Sequence, residues 1–254
     1  VGIDSVIGPW VDRASANSLS GLQILLHSEN CWVFPMFAPE YVAKNKRDEN
    51  LEKYFTHNMV GALKACEDLA PLKKLEYLDD IEILTDPELI VIAMQEIIDS
   101  KDPSAFDLET SGLNPYIKGH RIFSMAVSTE QRTIAFALDY PNAYEFQDEV
   151  EAVWNICYDY WENEDCPKIA HRTEFESSWT KIAVGADTKN MHWCTKTTQH
   201  IIDNRTGITG LKHQCFTRWG VKDFGKAADP YIKSVPGTPF NRMHKMPLME
   251  QLLY

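Results

Sequence analysis

The chain has 254 residues, of which 25 are Lys or Arg and 37 are Asp or Glu, and its formal net charge is −12. This length suffices for one large domain or two small ones, and a hydrophobic fraction of 44% is typical of a folded globular protein. The composition excludes a collagen, a coiled coil and a disordered chain, and the sequence has no run of roughly 20 uncharged apolar residues that could span a membrane.

The cysteines and the two chain ends bear on cellular context. The six cysteines include no C-x-x-C pair, which argues against a disulfide framework and favours a reducing compartment. We therefore expect a cytoplasmic protein that does not contact a membrane. The first residue is Val rather than Met, and an apolar run ends at Tyr254 without a helix stop signal, so we expect a piece of a longer polypeptide.

The charge is distributed unevenly along the chain. Residues 1–138 carry 12 basic and 21 acidic side chains. Residues 139–166 carry nine acidic side chains and no Lys or Arg, and residues 167–254 carry 13 basic and seven acidic side chains. The average charge argues against a general nucleic-acid binder, but the last third is basic, and carboxylates that hold metal ions also count as negative charge. Two solvated faces of opposite charge are the alternative interpretation.

The first 75 residues predict a small α/β segment. A strand is expected at 31–34 and a helix at 51–69, and Pro35 and Pro39 predict a loop between them. Residues 67–80 have the composition of a linker. We place a domain boundary near residue 75, with one segment at 1–75 and a second domain at 76–254.

From residue 81 onward the pattern is more regular and predicts a mixed α/β domain. Three alternating stretches form a predicted meander of strands, and an Asp-Pro-Glu helix start precedes it. The expected strands are 81–84, 105–109, 122–128, 133–138 and 168–170. The expected helices are 87–98, 146–161, 173–184, 195–203, 211–219 and one that begins at 247.

Asp107 and Glu109 are the most informative pair in this domain. On a strand they point to the same face, about 7 Å apart, and their like charges repel unless a cation or a proton lies between them. Oxygen ligands of this kind favour Mg²⁺ or Mn²⁺, and two such ions can stabilise the attacking and leaving oxygens of phosphodiester hydrolysis. A solvated strand end or a salt-bridged pair is the alternative.

Three segments together resemble the DEDD-type 3′-to-5′ exonucleases. Residues 106–113 (Phe-Asp-Leu-Glu-Thr-Ser-Gly-Leu) resemble the first motif, residues 169–176 (Ile-Ala-His-Arg-Thr-Glu-Phe-Glu) resemble the second, and 252–254 (Leu-Leu-Tyr) resemble the start of the third. The resemblance implies an RNase H-like mixed sheet flanked by helices, and hydrolysis with two Mg²⁺ or Mn²⁺ ions.

Within that superfamily, residues 201–212 are similar to a segment of the proofreading domains of bacteriophage-type family A DNA polymerases. This likeness implies single-stranded DNA 3′ ends as the substrate, a polymerase domain that follows in the parent chain, and the cytoplasm of a bacterium or of a phage-infected host as the location.

The resemblance also implies roles for individual residues. Asp107 would bridge both metal ions, Glu109 would hold the ion that activates water, and Glu176 would support the second ion. Tyr254 would orient the attacking water. Contacts to the nucleic acid would come from Thr110, Gly112, Leu113, Arg172, Phe175 and Lys212, with Arg218, Lys222 and Lys226 as further backbone contacts.

The sequence departs from the family pattern at three points. Arg172 stands where Asn is usual, Glu176 stands where Asp is usual, and the Asp expected four residues after Tyr254 lies beyond the sequence. A second interpretation is therefore a catalytically inactive DNA-binding or structural module in which Arg172 and Glu176 form an internal ion pair.

Two further patterns are weaker. Residues 32–42 resemble a strand and loop of uracil-DNA glycosylases, but Ala38 stands where a His is expected, so glycosylase activity is not expected. His192-x-Cys194 and His213-x-Cys215 could form a zinc set, but one intervening residue in each pair is unlike the usual knuckle spacing.

Overall fold

The structure, a computed structural model, describes residues 16–26, 30–67, 80–221 and 225–254. These residues fall into two compact units. The first unit contains the described residues up to 67 together with 199–221, and the second contains 80–198 and 225–254. The expected linker at 67–80 lies almost wholly outside the described residues, and the domain boundary near 75 stays a prediction.

The first unit is a small α/β assembly. Strands β1 (Ile24–Leu26) and β2 (Cys31–Val33) pair antiparallel. Its helices are α1 (Ala16–Leu19), α2 (Pro39–Lys44), α3 (Glu49–Ala65) and α8 (Leu211–Trp219). A small core of Leu19, Ile24, Leu26 and Phe216 joins α1, β1 and α8.

The second unit is built on a six-stranded mixed sheet. The strand order is β3-β6-β5-β4-β7-β8, with β5 antiparallel to both of its neighbours and the other pairs parallel. The strands are β3 (Ile81–Leu84), β4 (Ser104–Thr110), β5 (Ile122–Ser128), β6 (Thr133–Ala137), β7 (Lys168–Ala170) and β8 (Met191–Cys194). The predicted RNase H-like mixed α/β fold class is confirmed.

Helices flank this sheet. They are α4 (Pro87–Ser100), α5 (Gln147–Glu162), α6 (Thr173–Trp179), α7 (Thr195–Ile202), α9 (Asp229–Ile232) and α10 (Leu248–Leu252). The division between the two units falls within α7. The main core forms where the buried sides of α4 and α5 meet the apolar residues of the central strands. It includes Met94 of α4, Trp161 of α5, Phe106 of β4 and Phe136 of β6.

Local sequence signals explain several element boundaries. Asp86 accepts a hydrogen bond from the Glu88 amide at 2.9 Å and caps α4, whose first residue is Pro87. Asp48 caps α3 in the same way, with 3.1 Å bonds from the amides of Asn50 and Leu51. The expected helix starts near 87 and 51 follow from these caps.

Three expectations differ from the structure. The loop expected around Pro39 is instead the start of α2, because proline is compatible with the first helical turn. Residues 191–194, expected to be outside any strand, form the edge strand β8. The helix expected over 173–184 is α-helical to Trp179 and continues as a π-helical turn, Thr180–Val184.

The helices of the described residues include none with the length and apolar composition that a membrane span requires.

Candidate metal centre

Strand β4 separates an apolar face from an acidic one. Phe106, Leu108 and Thr110 are buried, whereas Asp107 is exposed and Glu109 is half-buried. This is the alternation expected of a strand, and it places both carboxylates on one face. Because β7 pairs with β4 only at Ser104 and Ala105, the backbone edge of β4 beside the acidic residues is open on that side.

Glu176 on α6 reaches this open edge. Its side chain is 3% exposed, and a hydrogen bond from the backbone of Leu108 acts to lower its pKa. Its second oxygen, Oε2, is buried and has no hydrogen-bond partner in the structure. A buried carboxylate with one unpartnered oxygen is costly, so this atom marks a place where a ligand can bind.

Tyr254, which follows helix α10, also lies near these carboxylates. Ser124 pairs with Glu109 across the sheet and therefore lies on the acidic face, and Gln251 of α10 donates a 2.9 Å bond to the Ser124 hydroxyl. Helix α10 thus lies over this face. Tyr254 follows it and packs half-buried against a cluster that includes Phe123, the extra residue of a bulge in β5.

The electrostatic interactions join these four residues into one group. Burial raises the pKa of Asp107 to about 6 even though solvent reaches part of the side chain. Burial and the Asp107 charge raise the pKa of Glu109 to about 8. Burial, followed by the charges of Asp107 and Glu109, raises the pKa of Glu176 to about 10. Burial and the charges of Glu109, Asp107 and Asp229 also raise the pKa of Tyr254.

This donor set fits a hard divalent cation. All donors are oxygens, they repel one another when ionised, and Glu176 Oε2 lacks any other partner. As the side chains stand, however, no group of three His, Cys, Asp or Glu residues in the described part of the chain converges closely enough to hold an ion. The chemistry of the donors suits such an ion, and binding one would require the three carboxylates to move toward one another.

The alternative ion pair between Arg172 and Glu176 is not formed. Arg172 precedes α6 with an exposed side chain, and none of the salt bridges between described residues joins it to Glu176. This feature of the second interpretation was wrong. The reason is local geometry: Arg172 lies outside the first turn of α6 and is exposed, while Glu176 is buried beside the open edge of β4.

The end of β4 and the loop after it carry three predicted substrate residues, Thr110, Gly112 and Leu113. The Thr110 hydroxyl donates to the Gly112 carbonyl at 2.7 Å, and both residues are buried. A Cβ on Gly112 would lie 2.5 Å from a His120 ring carbon and 2.7 Å from the Pro239 carbonyl oxygen, so glycine is required for close packing here. Leu113, by contrast, is 81% exposed.

The other predicted contacts are spread over the structure. Phe175 packs partly buried against the main core, with its ring centroid 6.1 Å from that of Trp179. Lys212 and Arg218 are exposed on α8 in the first unit, and Lys226 is exposed in the second. Lys222 lies outside the described residues. Their contacts with nucleic acid stay predictions.

Sequence reasoning missed two residues that organise the site. Asn241 donates from Nδ2 to the Thr110 carbonyl at 2.7 Å, and its own amide donates to the Ser111 carbonyl at 2.8 Å. His120 fills the space beside Gly112. Neither lies in a recognisable motif, because their role depends on contacts far apart in sequence; the glycine at 112 was the one signal of a close approach.

The possible zinc set does not assemble within the described residues. His192 and Cys194 lie on β8, His213 and Cys215 lie on α8, and these residues belong to no group that could hold a metal ion. The glycosylase-like segment is the strand β2, a loop with Ala38 at its end, and α2. Its resemblance stays a prediction.

Comparison with known proteins gives solved structures alone. No protein-family model and no curated protein matches the chain. Among solved structures it is similar to Brucella melitensis NrnC with bound Mg²⁺, with 21% identity, a TM-score of 0.37, and coverage of 48% of this chain and 55% of that one.

It is also similar to Escherichia coli RNase D, an exoribonuclease involved in structured RNA processing, with 10% identity, a TM-score of 0.45 and coverage of 62% and 38%. For Trypanosoma brucei RNase D in complex with GMP the identity is 11%, the TM-score 0.48 and the coverage 68% and 53%. The chain thus spans about half the length of these proteins. All three TM-scores are below 0.5, so a functional proposal has to stand on the side chains of this chain.

Proposed function

We propose that the chain is a metal-dependent 3′-to-5′ exonuclease that removes nucleotides from single-stranded DNA ends. One observation carries the proposal: the buried, partly unpartnered carboxylate of Glu176 lies close enough to Asp107 and Glu109 for their charges to raise its pKa. The negative charge of such a group is unfavourable unless a proton or a cation compensates it. Glu176 also lies at the edge of β4, the strand that carries the first nuclease-like motif.

Asp107, Glu109 and Glu176 would hold Mg²⁺ or Mn²⁺, and two ions are proposed. Such ions supply Lewis acidity toward a water molecule and toward the scissile phosphate. The carboxylates hold the charge that attracts the ions. The Tyr254 hydroxyl would donate a hydrogen bond and orient a water molecule.

The remaining predicted residues would bind the strand. Thr110 and Gly112 fix the backbone of the loop next to the carboxylates, and the exposed Leu113 would contact the terminal base. The exposed Arg172 is available for a phosphate. The likeness of residues 201–212 to polymerase proofreading domains supports DNA as the substrate and a polymerase as the larger context, and both belong to the proposal.

The direct test is digestion of a single-stranded DNA 20-mer labelled at its 5′ end, with Mn²⁺ at pH 8. We expect a ladder that shortens from the 3′ end. Asp107→Asn should reduce the rate by at least about 100-fold, since losing one charge-stabilising group commonly costs this much. Asp148→Asn, on the exposed first turn of α5, is the matched control and should retain the rate.

An RNA strand of the same sequence forms the second arm of this experiment. Faster digestion of RNA would contradict the proposed preference for DNA but would still support nuclease activity. A rate that Asp107→Asn does not change would contradict the nuclease.

An inactive module is the second candidate, because the described acidic residues do not converge on one point as they stand. It predicts no digestion of either strand by the unsubstituted protein.

A further inference from the structure

The loop at residues 111–121 connects β4 to β5 and begins two residues after Glu109. Its ends are joined by two hydrogen bonds: the Ser111 amide donates to the Arg121 carbonyl at 2.9 Å, and the Arg121 amide donates to the Ser111 hydroxyl at 2.8 Å. At the same end of the loop, the backbone amide of Asn241 donates a hydrogen bond to the Ser111 carbonyl. The loop is therefore anchored beside the candidate metal centre.

The base of the loop is filled by a cluster of three rings that are tilted relative to one another. The His120 ring lies 4.6 Å from the Phe240 ring and 5.6 Å from the Trp179 ring, measured between centroids, and it contacts Gly112. This packing leaves little space beneath the loop. Because both its ends and its base are held, the position of the loop backbone beside the candidate metal centre is set by the fold.

The outer side of the loop exposes two large apolar side chains, Leu113 at 81% and Tyr116 at 73%. The Tyr116 amide donates to the Asn114 side chain at 3.0 Å, which fixes its backbone, while its ring stacks on no other ring among the described residues. Two exposed apolar side chains on an anchored loop beside the candidate metal centre are available to a ligand bound there.

The charges on the loop favour a polyanionic partner. Lys118 and Arg121 are exposed on the same segment, and Arg121 also forms an exposed ion pair with Asp139 at 3.5 Å. Single-stranded nucleic acid is bound by this combination of cationic side chains for phosphates and aromatic rings for bases.

We infer that Tyr116 is a base-stacking residue that receives the second nucleobase from the 3′ end, beside the terminal base contacted by Leu113. This inference rests on the proposed function for the presence of a strand at the site. A phenol ring accepts any base, so the subsite supplies affinity with little sequence preference. Lys118 would lie near the phosphates of the same segment.

The test is a cycle that combines Tyr116→Ala with removal of the base. Binding of a fluorescein-labelled DNA 8-mer is measured by anisotropy in the Asp107→Asn variant with EDTA, so that no hydrolysis occurs. One 8-mer is intact, and the other has an abasic site at the second position from the 3′ end. We expect Tyr116→Ala to weaken binding of the intact strand by about 5- to 150-fold and of the abasic strand by less than about 2-fold.

Two control variants accompany the cycle. Tyr116→Phe should bind like the parent, since stacking needs the ring and not the hydroxyl. Tyr158→Ala, which removes an exposed tyrosine from α5, should leave both affinities unchanged.

Equal losses for the two strands, no loss for either, or no binding of either strand by the parent would overturn the inference. The outcome is separable from that of the digestion experiment. Coupling between Tyr116 and the base without digestion by the unsubstituted protein would retain the subsite and reject the exonuclease. Digestion without coupling would do the reverse.

Discussion

At the residue scale, the site is defined by carboxylates that cannot all ionise at low cost. Glu176 is the most buried of the three, and its Oε2 has no partner, whereas Asp107 is reached by solvent. Burial raises the pKa of Asp107 to about 6, of Glu109 to about 8 and of Glu176 to about 10, and the charges of the neighbouring carboxylates add to the rise for Glu109 and Glu176. A divalent cation replaces the protons that the metal-free protein would otherwise retain.

The Glu176→Gln variant tests this electrostatic account in the absence of metal. Folding raises the pKa of Glu176 from 4.5 to about 10, so its contribution to stability is present at acidic pH and is lost as the pH rises toward 10. Glutamine has no charge to bury. With EDTA at pH 8.5 we expect the variant to be more stable than the parent by about 2 kcal/mol or more, and nearly equal at pH 4.5.

The measurement is the free energy of unfolding from urea titrations at the two pH values. Glu174→Gln, an exposed acidic residue on the same helical turn, is the control and should change the stability by less than about 0.5 kcal/mol at either pH. A stability difference between Glu176→Gln and the parent that does not vary with pH would contradict the account.

At the scale of elements, β4 and the loop after it position the residues of the candidate site. The strand anchors one face in the core through Phe106 and Leu108 and presents Asp107 and Glu109 on the other. The register change after Glu109 lets Phe123 pack with the Tyr254 cluster. The loop is then held by Asn241 and by the contact between Gly112 and His120.

Gly112→Ala should disturb this loop. Its Cβ would meet the Pro239 carbonyl oxygen at 2.7 Å, which is backbone and cannot move aside cheaply, and the His120 ring at 2.5 Å. We expect a loss of about 1–3 kcal/mol in the free energy of unfolding and a larger KM for single-stranded DNA. Thermal unfolding and steady-state digestion measure the two effects.

A second substitution separates the two contacts. His120→Ala removes the ring clash but not the clash with Pro239, so Gly112→Ala should cost less stability in the His120→Ala background than in the parent. Gly61→Ala, on α3 where an added Cβ meets nothing within 4 Å, is the control and should not destabilise the protein. An unchanged KM in Gly112→Ala would contradict a role of the loop in substrate binding.

At the scale of the whole molecule, much of the second unit follows from local sequence patterns. Alternation located β4, β5 and β6, and the Asp-Pro start located α4, since both signals are local and strong. The edge strand β8 was missed because Met191–Cys194 is a short segment whose pairing with β7 is determined by the sheet rather than by its own pattern.

The candidate site was predictable in part for the same reason. Asp107 and Glu109 follow from period-two alternation, and Glu176 and Tyr254 come from the family resemblance. The burial of Glu176 at the edge of β4 and its unpartnered Oε2 are tertiary features that one sequence does not encode locally. The same holds for Asn241, which lies 131 residues from Thr110.

The central claim is that Asp107, Glu109 and Glu176 jointly bind divalent cations, and Mn²⁺ binding followed by the electron paramagnetic resonance signal of the free ion measures this most directly. At pH 8 the unsubstituted protein and the Asp148→Asn control should remove free Mn²⁺ from solution, with weaker binding at pH 6 because protons compete for Glu109 and Glu176. The Asp107→Asn/Glu176→Gln variant should leave the free signal unchanged. Equal binding by this variant and by the unsubstituted protein would contradict the claim.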